Sequence, residues 1–356
     1  MVGVDKRILA GIALLVVIAV AVASSGGGGA REVTLQGEGS TFLYPQIQAW
    51  SQEFARVYPN ITINYNPTGS GAGQSAFLDG TVDFAGSDPP LSREAWQGLQ
   101  GRVVQMPVVI GMVAVVYNVP GVDGLRLDGE TLARIYKGEI EYWDDQAIAA
   151  LNPGVELPHE RIIVVHRSDS SGTTQVFTMF LHKAAPGVWP AELVGKTVNW
   201  PVDSTGRGVG GKGNQGVMEQ VRSNTYSIGY VEYAYALQTG ASVALVRNPA
   251  GEFVAPSPEA AQEAARSALG SLPGSPLDDW SGALEAIVYA PSGYPLTSWS
   301  FLFFYTEYPE DKAWAVRAFI EWVNTEGQDY IVDGYVPIPE EVRQVNLKAL
   351  DYIKSG

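Results

Sequence analysis

The chain has 356 residues, enough for two domains of ordinary size, and is 46% apolar and 17% charged, a composition that excludes a disordered chain. It has no Cys, which excludes a disulfide framework or a thiolate metal site, and its three His make a His-rich metal site a poor fit. The net charge of −15 argues against a nucleic-acid partner and means that any bound anion must be won by local donors.

The first thirty residues read as a targeting segment. Lys6-Arg7 precedes an uncharged run from Ile8 to Ala23, followed by a Ser/Gly tract, as in a cleaved export signal. An uncleaved N-terminal membrane anchor with a glycine tether fits the same pattern. Both readings place the rest of the chain, with no metal or cofactor, outside the cytoplasm, in the periplasm or on the outer face of the cell membrane.

From residue 32, β–turn–α units repeat. Residues 32–36 alternate as a strand, and Gly37 to Phe42 form a polar turn that Ser40 or Thr41 caps. A helix follows, with Leu43, Ile47, Trp50, Phe54 and Val57 on one face until Tyr58-Pro59 stops it. Residues 61–65 form a second strand, 68–73 a glycine-rich turn, and 74–78 a short helix. Residues 81–85 form a third strand, ending in Gly86-Ser-Asp-Pro-Pro90. Further on, the β-branched run 161–165 leads into His166-Arg-Ser-Asp-Ser-Ser-Gly-Thr173 and a helix over 174–181. Such units predict a parallel or mixed sheet with ligands at the carboxyl ends of its strands.

The helix N-termini after these turns carry small and hydroxyl residues, unpartnered N–H groups and, in Arg167, a planar cation, which together suit a small tetrahedral oxyanion. Asp88 is the misfit. A carboxylate facing a fully ionised oxyanion costs several kcal/mol when desolvated. It fits an anion that carries a proton and can donate it in a hydrogen bond, which favours protonated phosphate over sulfate. A turn-initiating Asp before Pro-Pro is the plainer alternative.

Three other patterns in the chain carry competing readings. Gly206 to Gly213 is one residue short of a nucleotide-binding P-loop, lacks the metal-binding hydroxyl, and follows a poor strand, so it reads as a glycine loop near the cleft. Ser70 or Ser171 with His166 as base would make an exported phosphatase or esterase, but His166 alternates away from Arg167 on its strand and no G-x-S-x-G elbow exists. The nine Trp and 17 Tyr allow sugar stacking, although Trp50, Trp314 and Trp322 sit at core spacing.

Over residues 34–323 the chain resembles the phosphate-binding proteins of high-affinity phosphate ABC importers, a periplasmic-type solute-binding family. The residues that carry the resemblance are Gly39-Ser-Thr-Phe42, Gly69-Ser-Gly71, Val82 to Asp88, Arg167 to Thr173, Gly210 to Gly216 and Ile228 to Tyr235. It implies an α/β, two-lobed, periplasmic-binding-protein-like fold (type II), each lobe a mixed sheet flanked by helices, with strands crossing at the hinge. It implies a monomer that binds inorganic phosphate without catalysis and hands it to an integral-membrane permease. The matching donors are Thr41, Phe42 (through its backbone N–H), Ser70, Arg167, Ser171, Gly172 and Thr173. Asp88 matches the acceptor of the phosphate proton, and Asp169 the acid that pairs with the binding Arg. Where many relatives carry a second hydroxyl after Ser70, this chain has Gly71-Ala72. The long uncharged runs at 103–119 and 294–304 read as crossing strands. They place lobe one at 31–112 with 294–356 and lobe two at 113–293, with a helix over 257–269 in an Ala/Ser/Pro/Gly-rich insert. A binder of another oxyanion or of a sugar stays open beside this reading, as does the phosphatase.

Overall fold

A computed structural model describes residues 31–356. The expected signal or anchor and its glycine tether lie outside the described residues. The chain opens with β1 (Val33–Gly39), α1 (Tyr44–Val57), β2 (Ile61–Asn66), α2 (Ser70–Leu78), β3 (Phe84–Ser87), α3 (Arg93–Gly98) and the 16-residue β4 (Val103–Asn118). Next come β5 (Arg126–Leu127), α4 (Gly129–Lys137), α5 (Gln146–Leu151), β6 (Ile163–Arg167), α6 (Gly172–Ala184), β7 (Gly208–Gly211), α7 (Gly213–Ser223), β8 (Ser227–Glu232) and α8 (Tyr233–Thr239). The remainder is β9 (Ser242–Val243), β10 (Leu245–Arg247), β11 (Phe253–Val254), α9 (Pro258–Ala268), α10 (Ala283–Ile287), β12 (Thr297–Tyr305), β13 (Glu307–Tyr308), α11 (Glu310–Asn324), α12 (Glu340–Leu347) and β14 (Lys354–Ser355).

Among the described residues the main sheet has nine strands, in the order β2-β1-β3-β12-β4-β8-β6-β7, with β9 beside β4. β1 pairs in parallel with β2 and β3, and β6 in parallel with β7 and β8. The antiparallel partners are β12 and β4, which lie between these parallel groups. β4 joins the two halves. Its residues Val103 to Met112 pair with β12, and from Val113 to Asn118 it pairs with β8. Fifteen of its sixteen residues are buried, which is why it reads as an unbroken apolar run rather than an alternating one. No helix among the described residues is long and apolar enough to cross a membrane.

α1 forms where expected: Ile47, Trp50 and Phe54 are buried on one face, with Tyr58-Pro59 ending it. Its cap differs from the expectation. The N-cap position is Leu43, and Ser40 serves it from outside the helix by accepting the Leu43 N–H at 3.0 Å. α2 also departs. It starts at Ser70, not at residue 74, because Gly69 makes the turn with φ of +102°. Its glycines are required by contact: a Cβ on Gly73 would lie 2.3 Å from the Cα of Gly39. β3 starts late, at Phe84, because the carboxylate of Asp83 is taken by the Gln36 N–H and the Lys312 ammonium. The expected insert helix is α9, while Trp314 is 38% exposed and does not belong to the core.

Residues 257–293 reach both halves. Trp280 packs edge-on against Phe301 of β12, and Pro276 accepts the N–H of Gln105 on β4. On the other side Tyr289 packs against Phe180 of α6.

Candidate functional site

Four helix N-termini point to one region: those of α1 and α2 from one half of the sheet, and of α6 and α7 from the other. α6 is thirteen residues long, and its cap is Ser171, whose hydroxyl accepts the Thr174 N–H at 3.1 Å. The Ser171 N–H is taken by the Lys196 carbonyl. The next N–H groups, of Gly172 and Thr173, belong to the first helical turn, which has no carbonyl of its own to bond and carries the positive end of the helix dipole.

Opposite stands Asp88, at the end of β3 and 1% exposed. Its Oδ1 accepts hydroxyls from Ser40 at 2.6 Å and Ser300 at 2.8 Å, and its Oδ2 accepts that of Ser70 at 3.1 Å. Burial pushes its carboxyl up from the usual range, and the three hydroxyls and the Arg167 charge work against that rise. Gly172 approaches closely: a Cβ there would lie 2.4 Å from both Asp88 Oδ2 and Ser70 Oγ. Residue 172 therefore has to be glycine for α6 to approach β3 and α2 this closely.

Arg167, the last residue of β6, is 4% exposed. Its Nε and Nη2 form a fork on Asp169 at 2.7 and 2.6 Å, and its Nη1 donates to Thr173 Oγ1 at 3.3 Å. Its own N–H bonds the hydroxyl of Tyr230, so the strand end is fixed as well. Asp169 is held by the Gly213 N–H at 3.0 Å too. Burial raises the Asp169 carboxyl, but the Arg167 fork, its charge and the Gly213 N–H outweigh this and leave it below the usual range.

Thr41 belongs to the turn before α1. Its Oγ1 accepts from the Asn214 amide at 2.9 Å, and that amide also reaches Thr173 Oγ1 at 3.4 Å. Thr41, Asn214, Thr173 and Arg167 thus form one chain across the two halves, and Ser70, Asp88 and Gly172 meet beside each other. Phe42 has its ring in the core, edge-on to Tyr335, and its backbone lies in the same turn as Thr41. A recess of about 200 Å³ lined by Thr41, Tyr44, Asp169, Lys212, Gly213 and Tyr235 leads in from the surface.

His166 is elsewhere. Its ring stacks on Trp200, and its nitrogens face Asp203 and the Arg167 carbonyl. The serine–histidine pair that the sequence allows is not formed: the His166 nitrogens are taken up away from Ser70 and Ser171, Ser171 caps α6, and the basic group beside Ser70 is the Asp88 carboxylate. The near-P-loop is no loop either. Gly208–Gly211 is the edge strand β7, and Gly213 opens α7. No group of three or more acidic or His residues is placed to hold a metal among the described residues.

Sequence reasoning missed Ser40, Ser300 and Asn214. Ser300 could have been suspected, since Ser298 and Ser300 interrupt an apolar run. A register shift lies at Ser300/Phe301, where Val109 and then Pro107 of β4 are the partners, and Pro107 has no N–H for the ladder.

Comparisons with known proteins place the chain in a family and a fold. The family model described as a PBP superfamily domain matches residues 24–326. The phosphate-binding protein PstS of Methanocaldococcus jannaschii is 39% identical over 339 residues, covering 90% of this chain and 87% of that protein. That of Pasteurella multocida is also 39% identical, covering 87% of this chain and 88% of its own length. Among solved structures, a high affinity periplasmic phosphate-binding protein bound with phosphate (PfluDING) superposes with a TM-score of 0.68 at 24% identity, covering 89% of this chain and 93% of its own. The phosphate-binding protein of Stenotrophomonas maltophilia gives 0.67 at 19%, covering 90% and 98%. At these identities the structural likeness carries the two-lobed type II fold.

Proposed function

The chain belongs to the PBP superfamily, among its PstS-type phosphate-binding proteins, and we propose that it captures inorganic phosphate outside the cytoplasm for an ABC importer. The observation that carries this reading is the apposition of Asp88 with the N-terminus of α6 and the Arg167 guanidinium. Donors suit any oxyanion, whereas a buried carboxylate among them suits an anion that still has a proton to give. Thr41, Phe42 (through its N–H), Ser70, Arg167, Ser171, Gly172 and Thr173 are the proposed donors. Asp88 is the acceptor of the phosphate O–H, and Asp169 holds Arg167 in place.

Lobe one is taken as 31–112 with 294–356, and lobe two as 113–293, with residues 257–293 riding across both. The change of partner along β4 between Met112 and Val113 supports that division. Phosphate contacts both lobes and favours the closed form through that differential contact alone. The closed protein is then recognised by a membrane permease. The chain binds and does not turn over its ligand, in keeping with relatives named as binding proteins and with the His166 nitrogens being taken up by Asp203 and the Arg167 carbonyl.

Calorimetric titration of ligand-stripped protein with phosphate, then sulfate, at neutral pH tests the reading. Tight one-to-one phosphate binding without sulfate heat is expected. In Asp88→Asn the preference for phosphate over sulfate should fall. Unchanged selectivity would remove the proton-acceptor role, and absence of heat from either anion would remove the function.

A further inference from the structure

We propose that Tyr235 is a positioning residue that couples lobe closure to phosphate affinity by aiming the Phe42 N–H at the ligand. The inference rests on the phosphate-binding reading above and names a residue that contacts no ligand itself.

The Thr41 carbonyl and the Phe42 N–H are opposite ends of one planar peptide unit. Whatever grips the oxygen sets the direction of the N–H. Tyr235, on α8 just after β8, donates its hydroxyl to the Thr41 carbonyl at 2.7 Å. A donor on that oxygen also polarises the unit, which strengthens the N–H as a donor in turn. The next peptide has a different holder, the Tyr335 hydroxyl on the Phe42 carbonyl at 2.5 Å, and that hydroxyl also lies 3.0 Å from Glu232 Oε2 at the end of β8.

The two grips differ in origin. Tyr335 lies in the C-terminal segment, whose neighbour Val336 bonds to Ile110 on the β12-paired half of β4, so it travels with the Thr41–Phe42 turn. Tyr235 lies beyond β8, on the other side of the crossing. Asn214 also reaches Thr41 from that side, but it grips the side-chain hydroxyl and leaves the peptide plane free to rotate. Tyr235 is thus the cross-cleft group that fixes this peptide plane, and its bond exists only when the lobes are together. Its ring lines the recess leading to the site, so the hydroxyl reaches Thr41 from the cleft side.

The test is stopped-flow phosphate binding and release by the full-length chain and by Tyr235→Phe, which keeps the ring and removes the donor. Release should quicken about tenfold with association changed less than about twofold, the scale of one lost hydrogen bond formed after encounter. Melting without phosphate should stay within about 2 °C of wild type, since the bond is made across the cleft and not within a lobe. In phosphate-bound protein carrying ¹⁵N-Phe, the Phe42 amide proton should move upfield in the variant, a change that a packing role for the ring would not produce. Release within about twofold of wild type with an unmoved Phe42 resonance overturns the proposal. If the variant does not fold, exchange of the Tyr235 hydroxyl proton in the wild type decides: slowing on phosphate addition supports the proposal, and exchange indifferent to phosphate overturns it. A wild type that binds no phosphate would bring down the functional reading and this inference together, whereas normal wild-type binding with an indifferent Tyr235 brings down the inference alone.

Discussion

Arg167 shows how a single residue is prepared for an anion. Two guanidinium nitrogens are committed to Asp169, which leaves Nη1 with only a 3.3 Å bond to Thr173. The fork keeps the cation buried without neutralising the face that looks across the cleft. Arg167→Ala should cost about 2–5 kcal/mol of phosphate binding by calorimetry, the range for removing one partner of a buried charge pair. An affinity within a factor of about three of wild type would place Arg167 outside the site. Glu232 is the opposite case. It is fully buried, its Oε1 has no partner, and its Oε2 faces the Tyr335 hydroxyl and the Ala234 N–H. Burial raises its carboxyl well above the usual value. A raised acid binds its proton longer in the folded state, so its charge costs stability as pH rises from about 4.3 through the folded value. Glu232→Gln does not titrate, and its melting temperature should gain on wild type as pH rises from about 4.5 to 7.5. A difference that stays flat across that range would mean Glu232 is ionised in the folded protein at little cost.

At the scale of elements, the site is a set of helix N-termini brought close by glycines. Gly172→Ala would put a methyl 2.4 Å from Asp88 Oδ2 and Ser70 Oγ, which bond each other, while the Ser40 and Ser300 hydroxyls hold the carboxylate in place through Oδ1. α6 must then retreat from β3. Alanine is otherwise the better helix former, by about 1 kcal/mol, so melting without ligand should change little. Phosphate affinity should fall at least about a hundredfold, because a donor moved by even 1 Å no longer meets the ligand. Calorimetry on the melt-tested variant checks both halves of this expectation. The extended start of α2 follows the same logic. Periodicity hid its first turn, since Ser70-Gly-Ala-Gly73 carries no apolar side chain larger than the Ala72 methyl, yet the backbones touch there, at Gly71 and Gly73.

For the whole molecule, a net charge of −15 repels the proposed ligand at long range, so affinity has to come from inside the closed cleft. Closure already joins the halves directly. The Lys196 ammonium reaches the Gln74 side chain, and the Gly71 N–H reaches the Ser170 carbonyl. Phosphate should therefore add to an arrangement the chain can form alone. At one hundred times its dissociation constant it should stabilise the fold by about 2.7 kcal/mol, read as a rise of several degrees in melting temperature. Sulfate at the same concentration should leave the melt unchanged, and an equal rise with sulfate would point to a general anion cleft.

The β–turn–α repeats, the buried crossing strand, the anion-suited turns and the family were legible in the residues themselves. Each is a local matter of side-chain period, turn chemistry or a contiguous motif. Arg167 and Asp169 are two residues apart, so even their pairing could be read along the chain. What holds Asp88 was not legible, because Ser40, Ser70 and Ser300 reach it from three distant segments, one of them beside a register shift in β12 that alternation does not encode. The same limit hid Asn214 and the hydroxyl of Tyr235, whose partner, Thr41, is almost two hundred residues away. It also hid the lean of residues 257–293 onto β12. Local pattern determines which elements form and which carry donors. Only tertiary packing decides which donors are already spent on one another and which face the cleft.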